Sequence, residues 1–337
     1  MKLSDLYWHR ITPLHFLLWP LSLIYSFFLR LQKFCYWLDI LPTVKLTVPV
    51  IVVDSISIED GSKSSLIEWL VQYLLEQGYH PAVITHGSTD HPGKPRQVTT
   101  DCDPNGVGAK TFLLARHCGE SCPVWIGSDR ITTAQSLLAA HPRCNIIIQD
   151  GGVNCFRLER DLEIVVVDFS EHSFGNGLCL PAGPLRFDIK QLEKTDIVVT
   201  NDRSQRFVDT SNWRKSFNMK LLNNTAYPIF ESTTRQPITG FRDKRLQAIA
   251  TEDNALWMHN LIQFFGLNTQ LRTFPENHAF TPADIQQFPD AEIILMPEDN
   301  ALLCQDFATN TVWALPRDAW INTELQSVIL KRLQQLN

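Results

Sequence analysis

The sequence has no repeated Cys-x-x-Cys pair, no excess of basic residues and no low-complexity tract. Its eight cysteines are scattered over 337 residues, which favours reduced thiols in the cytosol over a disulfide framework. The formal net charge of −6 argues against a general nucleic-acid-binding protein, so no nucleic-acid partner is expected. With 44% apolar and 20% charged residues, the chain has a globular composition and is long enough for two domains.

An apolar run at residues 13–29 dominates the N-terminal region. No small-residue cleavage site of the Ala-x-Ala type follows it, which argues against a signal peptide. The run is slightly short for a membrane-spanning helix, which needs about 20 apolar residues. Three interpretations compete: a transmembrane anchor, a helix in the membrane interface, and a helix buried in the globule. Aromatic residues and the basic flank of Arg30 and Lys33 favour membrane contact, so we expect residues 1–45 to form a membrane-associated helical segment.

From residue 48 onward, short β-branched runs alternate with amphipathic helical stretches. Such alternation predicts an α/β fold in which a mostly parallel sheet carries helices on both faces. Strands are predicted at residues 50–53, 82–85, 124–126, 146–149, 164–168 and 197–200, and helices at 66–77, 110–117 and 132–141. Further strands are predicted at residues 246–250, 272–274, 292–296 and 312–315, and further helices at 255–265, 282–287 and 323–336.

These elements predict how the rest of the chain is divided. Residues 46–202 are expected to form a phosphate-loop-like α/β domain, and residues 246–337 a second, smaller α/β lobe. Residues 203–245 are weakly patterned and polar, so we interpret them as a linker or crossover. Ligands of parallel sheets bind beyond the carboxyl ends of the strands, where Asp150 lies in this sequence.

A Lys-Ser pair follows the first predicted strand, where a helix should begin. In a phosphate-binding loop, glycines let backbone N–H groups surround the phosphates, the lysine reaches the outer phosphates, and a hydroxyl ligates magnesium. Lys63 and Ser64 have these types and this order, but Ser62 stands where glycine is expected. The candidate nucleotide-binding residues are therefore Ser57, Gly61, Ser62, Lys63 and Ser64.

Two longer segments carry a resemblance to a known family. Residues 174–186 read FGNGLCLPAGPLR, and residues 157–168 read RLERDLEIVVVD. With the strand before the Lys-Ser pair, they resemble segments of the tetraacyldisaccharide 4'-kinase (lipid A 4'-kinase) family of Gram-negative bacteria, and the resemblance covers nearly the whole chain. It implies a P-loop kinase-like fold with an N-terminal membrane-associated helix.

The resemblance also implies an activity and a location. The family's reaction is the ATP- and magnesium-dependent phosphorylation of the 4'-hydroxyl of tetraacyldisaccharide 1-phosphate in lipid A biosynthesis. The implied cofactors are therefore ATP and magnesium, and the implied partners are a lipid A precursor disaccharide and the membrane surface. The implied location is the cytoplasmic face of the bacterial inner membrane.

Several positions that carry the family's chemistry differ in this sequence. The family's glycine-rich loop reads DSISIEDGSKS at residues 54–64, so only the lysine and a hydroxyl keep their roles. In this chain the loop contains the carboxylates of Glu59 and Asp60. Each would repel a phosphate by about 4 kcal/mol at a separation of ~4 Å and an effective dielectric constant of about 20. The family's acidic Gly-Asp-Glu-Pro segment corresponds to residues 107–110, where no carboxylate is left.

The acid and base positions are altered as well. Asp150 is the one acid left of an adjacent pair, and the resemblance makes it a candidate catalytic residue and, with Ser64, a candidate magnesium ligand. A turn or helix cap is an equally good interpretation of Asp150. The family's Asp-His pair becomes Asn277 and His278, and asparagine cannot act as a general base. His278 is the other candidate catalytic residue, although a structural role as a polar residue at the start of a helix explains its presence at least as well.

These substitutions predict a retained fold with reduced chemistry. The first hypothesis is a family member whose phosphoryl transfer is weak or lost. The alternative is a non-catalytic, pseudokinase-type protein that binds a lipid or a partner protein of the lipid A pathway. A third hypothesis is an enzyme for a different acceptor, with His278 or Glu276 as its base.

Overall fold

The computed structural model describes residues 7–8, 12–58, 62–86, 93–168, 174–201, 212–222, 224–231, 234–276 and 278–336. The helices are α1 Leu14–Trp37, α2 Lys63–Glu76, α3 Pro104–Val107, α4 Ala109–Cys118, α5 Arg130–Ala140, α6 Glu252–Phe265, α7 Pro282–Gln286, α8 Glu298–Leu302 and α9 Thr323–Gln334. The strands are β1 Val50–Ser55, β2 Pro81–Thr85, β3 Arg96–Val98, β4 Val124–Ile126, β5 Ile146–Asp150, β6 Leu162–Asp168, β7 Ile197–Asn201, β8 Ser216–Leu222, β9 Thr225–Pro228, β10 Gln236–Pro237, β11 Leu246–Thr251, β12 Leu271–Phe274, β13 Ile293–Pro297, β14 Val312–Leu315 and β15 Asp318–Ile321.

The chain divides into two compact units. The first consists of Met1–Val98, His117–Lys220 and Ala319–Asn337, and the second of Thr99–Arg116 and Leu221–Asp318. Helix α9, predicted as part of the second lobe, belongs to the first unit because β15 leads the chain back to that unit's sheet. The stretch predicted as a linker contains β8, β9 and β10.

The first unit is built on a nine-stranded sheet. Its strand order is β15-β8-β7-β6-β1-β5-β2-β4-β3. The pairs from β8 to β4 are parallel, and β3 joins β4 in antiparallel orientation. Strand β1 is buried at every position, so both faces of the sheet are covered at its centre. The prediction of a mostly parallel sheet with an α/β architecture is confirmed.

Helix α2 follows β1 and covers the sheet beside it. Its buried apolar side chains recur at the spacing of one helix face and pack toward β1 and β2. These residues are Leu66, Ile67, Leu70, Val71 and Leu74. Because the apolar face is fixed against the sheet, the first turn of α2 is held at the carboxyl end of β1.

The second unit has its own six-stranded sheet, in the order β10-β9-β14-β13-β11-β12. The strands β14, β13, β11 and β12 pair in parallel, and β9 joins β14 in antiparallel orientation. Helix α6 follows β11, and α8 follows β13. The carboxyl ends of two adjacent parallel strands therefore lead into helices at the same edge of this sheet.

Helix α1 exposes most of its apolar surface. Phe16 is 86% exposed and Phe27 and Phe28 are each 61% exposed, so the helix is not buried in the globule. Among the described residues, α1 is long and apolar enough to cross a membrane by length and composition, a test that core helices and signal sequences also pass. The exposed face supports membrane contact and leaves the choice between spanning and interfacial helix open.

The opposite side of α1 is fixed to the segment at residues 174–186. The hydroxyl of Ser22 donates to the carbonyl of Cys179 at 2.8 Å and accepts from the N–H of Ala182 at 2.9 Å. The hydroxyl of Tyr25 donates to the carbonyl of Arg186 at 2.9 Å. Thus the segment with the strongest family resemblance is also a docking surface for α1.

Candidate phosphate-binding site

Three adjacent strands of the first sheet end in polar residues at one edge. In the strand order β1-β5-β2, the last residues are Ser55, Asp150 and Thr85. All three strands are parallel, so their carboxyl ends lie side by side. This is the edge at which α/β sheets bind ligands.

Lys63 and Asp150 form an ion pair at this edge. The Nζ of Lys63 lies 2.7 Å from Oδ1 of Asp150, and their side chains are 18% and 20% exposed. The hydroxyl of Thr85 donates to Oδ2 of Asp150 at 2.8 Å. Burial alone would raise the pKa of Asp150, but the Lys63 ammonium and the Thr85 hydroxyl outweigh burial and lower it.

A second cation, Arg130, lies beside this pair. It is the first residue of α5, whose N-cap is Asp129. A Cβ atom built on Gly151 would lie 3.5 Å from Nζ of Lys63 and 3.8 Å from Nη2 of Arg130. Gly151 has a φ of +71°, so glycine is favoured there for its backbone conformation as well as its size. A side chain at Gly151 would touch both cationic groups, so Lys63 and Arg130 converge on this glycine.

The carboxylate of Asp54, near the end of β1, is bound by backbone and side-chain donors. Its Oδ2 accepts from the N–H groups of Gly152 at 2.8 Å and Val153 at 2.9 Å. Its Oδ1 accepts from the N–H of Ser55 at 2.8 Å and lies 3.5 Å from Nη1 of Arg186. Asp54 thus connects β1, the turn after β5 and the end of the segment that docks α1.

The structure places most of the predicted loop residues at this edge. Helix α2 begins at Lys63, directly after Ser62, and Ser64 lies half-buried in its first turn. Ser57 is buried and pairs with Leu185 in an isolated bridge. Gly61 lies outside the described residues, as do Glu59, Asp60 and Asn277. Lys63, Ser64 and Asp150 therefore share the first unit, as the phosphate-loop interpretation requires.

His278 belongs to the second unit, whereas Asp150 belongs to the first. The Nε2 of His278 lies 3.1 Å from Oδ2 of Asp284, and its ring stacks on Phe274 with centroids 4.5 Å apart. Asp284 also forms a capping box with Thr281 at the start of α7. Within its unit, His278 therefore supports a helix start, which agrees with the alternative interpretation of this residue.

The second unit contains a polar network that the sequence did not reveal. The amide oxygen of Asn300, after β13, accepts from the N–H of Thr251 at 2.9 Å and its hydroxyl at 3.1 Å. The side-chain amide of Asn254 donates to Asp299 at 3.1 Å, and its oxygen accepts from Arg317. The sequence feature that could have predicted this network is the presence of polar residues at the start of each helix that follows a buried strand.

Lys110 stands where the resemblance implies an acid. Its Nζ lies 2.9 Å from Oδ2 of Asp253, at the start of α6. Desolvation opposes the charged form, but the carboxylates of Asp299 and Asp253 raise the pKa of Lys110, whose side chain stays 54% exposed. The segment at residues 107–110 therefore contributes a cation to this unit, in place of a carboxylate.

Replacing Asn300 by alanine is expected to destabilise the second unit by roughly 2 kcal/mol. The substitution leaves the N–H of buried Thr251 without its acceptor, and an unsatisfied buried donor costs about 1–3 kcal/mol. Urea unfolding of N300A and wild type measures the difference. The exposed Asn310 provides the control, since N310A should unfold as wild type does. Equal stability of N300A and N310A would contradict the role given to Asn300.

The carboxylate oxygens of the first site are already engaged, so Ser64 and the phosphates of a nucleotide would have to supply the ligands of a magnesium ion. Both oxygens of Asp150 are engaged, by Lys63 and Thr85, and those of Asp54 are engaged by three N–H groups and Arg186. In the described part of the chain, no three His, Cys, Asp or Glu side chains are grouped so that they could hold a metal ion. Phosphate has direct partners at this site, because two cationic groups converge beside Gly151.

Comparison with known proteins identifies one family. A family model described as tetraacyldisaccharide-1-P 4'-kinase matches residues 14–334. The chain is similar to the tetraacyldisaccharide 4'-kinase of Nitrosomonas europaea, with 37% identity over 99% of this chain and 84% of the relative. It is also similar to that of Nitrosococcus oceani, with 34% identity over 98% of this chain and 94% of the relative.

A solved structure has a similar fold. It is the "apo" form of LpxK from Aquifex aeolicus in complex with ATP, with a TM-score of 0.75 and 19% identity. The match covers 93% of this chain and 98% of that chain. At this identity, the likeness supports the fold.

Proposed function

This chain belongs to the tetraacyldisaccharide-1-P 4'-kinase family, and we propose that its Lys63 site binds the polyphosphate of ATP. The proposed acceptor ligand of the chain is a lipid A precursor disaccharide, which the chain binds at the cytoplasmic face of the inner membrane. Phosphoryl transfer to the 4'-hydroxyl of that lipid is weak or absent. The observation that carries the nucleotide proposal is the ion pair of Lys63 with Asp150 at the start of α2.

Electrostatics supports a phosphate ligand at this site. Lys63 and Arg130 both lie beside Gly151, and neither is an exposed surface charge. Partly buried cations are screened less than exposed ones, so their attraction for phosphate is strong. On binding, the phosphate would compete with Asp150 for the ammonium of Lys63.

The same geometry supports weak transfer. Phosphoryl transfer depends on positioning and on electrostatic stabilisation by metal ions and cations. Asp150 is already paired, His278 supports a helix start, and Lys110 replaces an acid with a cation. Loss of several such groups together is expected to lower the rate by orders of magnitude.

Helix α1 supports the proposal of membrane association. Its exposed aromatic and aliphatic side chains form an apolar surface that water does not favour, and amphipathic helices bind membrane interfaces by burying such surfaces. The side chain of Arg30, 72% exposed, lies beside this surface. We assign the lipid-facing role to this helix.

The nucleotide proposal is tested by replacing Lys63. We expect calorimetry to detect ATP binding by wild type and at least about tenfold weaker binding by K63A, a loss of about 1.4 kcal/mol. Titrations with and without magnesium show whether the cation contributes. The matched control is K45A, because the side chain of Lys45 is 69% exposed and pairs with Glu159 outside the site.

The outcomes separate the two candidate functions. Absence of binding to wild type at millimolar ATP would overturn the nucleotide proposal. The non-catalytic function, binding of a lipid or partner protein, would then be favoured by the exposed face of α1. Mass spectrometry of the purified protein tests that alternative, and absence of both lipid A precursors and pathway proteins would count against it.

Weak transfer is tested directly with ATP, magnesium and tetraacyldisaccharide 1-phosphate in mixed micelles. Turnover at the rate of an intact relative, measured in parallel, would overturn this part of the proposal.

A further inference from the structure

We infer that Asp54 determines how strongly the Lys63 site binds phosphate groups, because its carboxylate already occupies groups that would hold an anion. The inference rests on the proposed function, in which this site takes a polyphosphate. It assigns Asp54 a role in determining specificity, because a carboxylate of the chain itself competes with the phosphate ligand for the same binding groups.

The surroundings of Asp54 are those of a bound anion. The residue is 3% exposed, and its carboxylate accepts three backbone N–H groups, from Ser55, Gly152 and Val153. The guanidinium of Arg186 lies 3.5 Å away. Backbone N–H groups together with an arginine are a common arrangement for binding carboxylate or phosphate.

Some hydrogen-bond donors close to the carboxylate of Asp54 are not used. Within the described ranges, neither the buried Nε of Arg130 nor that of Arg186 has a hydrogen-bond partner. The Cβ position built on Gly151 lies 3.8 Å from Oδ1 of Asp54, as it does from Nη2 of Arg130, and 3.5 Å from Nζ of Lys63. Two cations and the carboxylate of Asp54 therefore converge on Gly151.

The charges in this cluster explain the expected effect. Three cations, Lys63, Arg130 and Arg186, face two carboxylates, Asp54 and Asp150. A phosphate bound by Lys63 would gain attraction from the cations but would be repelled by the buried carboxylate of Asp54, where screening by water is weak. Removal of that one charge should therefore strengthen binding, most of all for ligands with several phosphate charges.

The test compares D54N with wild type by calorimetry, with ATP and with inorganic tripolyphosphate as probes. Asparagine keeps the shape and one acceptor oxygen of Asp54 and removes its charge. We expect D54N to bind both probes at least about tenfold more tightly, equivalent to about 1.4 kcal/mol. The matched control is D161N, because Oδ2 of Asp161 accepts from the N–H of Val50 at the opposite end of β1. The control should bind as wild type does.

The outcomes distinguish this inference from the proposed function. Equal binding by wild type and folded D54N, each abolished by K63A, would overturn the inference and leave the nucleotide site standing. Absence of binding to either protein would overturn both. A gain in D161N equal to that in D54N would also overturn the inference, because it would reflect net charge alone.

A second variant guards against loss of structure. If D54N does not fold by circular dichroism, D54G removes the whole side chain of Asp54 and with it the carboxylate. Tighter binding by D54G, lost again when Lys63 is also replaced by alanine, supports the inference. Unchanged or weaker binding by folded D54G overturns it.

Discussion

Replacing Phe27 and Phe28 together by glutamate is expected to weaken binding to anionic lipid vesicles by about a hundredfold. Each ring is 61% exposed on α1, and burial of a whole phenylalanine side chain is worth about 1.5–3 kcal/mol. Loss of the exposed parts of two rings amounts to about 2.7 kcal/mol, which corresponds to a hundredfold change. Vesicle flotation of the full chain measures the bound fraction as a function of lipid concentration.

Two control variants separate apolar contact from charge. Leucine at both positions keeps an apolar surface, so that variant should bind within a few fold of wild type. Glutamate at the exposed Gln32 adds a negative charge to the same helix without removing an apolar group, and its effect should be small. If the double glutamate variant floats as wild type does, the apolar face of α1 meets something other than lipid.

The contacts of α1 favour a helix that lies along the membrane surface. Ser22 and Tyr25 hydrogen-bond to the segment at residues 174–186, and Arg30 pairs with Asp188 at 2.9 Å. These contacts span more than two turns on one side of the helix, while the apolar side chains occupy the other. A helix with one polar, protein-bound side and one apolar side suits the interface better than the bilayer core.

Local patterns were sufficient to predict most of the regular elements. Strands such as Val50–Ser55 and Ile146–Asp150 are short, β-branched and buried at every position except Asp150, which produces a clear sequence signal. The strand Ser216–Leu222 was missed although polar and apolar residues alternate along most of it. Four of its seven side chains are exposed, and it forms by pairing with β7. Its structure depends on a neighbouring strand that lies elsewhere in the sequence.

The sequence predicted the site only where the ends of the predicted strands determine which residues lie close together. Lys63 begins the helix that follows β1, and Asp150 ends the adjacent parallel strand β5, so their shared position follows from the predicted sheet. Asp54 and Arg186 are 132 positions apart, and their contact depends on how the segment at residues 174–186 folds back. No spacing in the sequence predicts this contact, so the competing carboxylate of Asp54 could be recognised only in the structure.

Replacing Asp150 by alanine is expected to lower the free energy of unfolding by about 3 kcal/mol. Removal of one partner of a buried ion pair costs about 3–5 kcal/mol, and the 20% exposure of Asp150 places the effect at the lower end. Lys63 and Arg130 would then face each other without a carboxylate between them. Urea unfolding at neutral pH, followed by circular dichroism, measures the loss.

The pH dependence tests whether charge causes that loss. The pKa of Asp150 is lowered in the folded state, so its contribution is present above the unfolded pKa of about 3.9 and is lost as pH falls through the folded value. The difference between wild type and D150A should therefore shrink in acid. In a double-mutant cycle with K63M, the pair of substitutions should cost less than the sum of the single ones, because K63M removes the cation that D150A leaves unpaired. Additive losses, or a difference that does not change with pH, would mean that Asp150 stabilises the fold through shape and not through its charge.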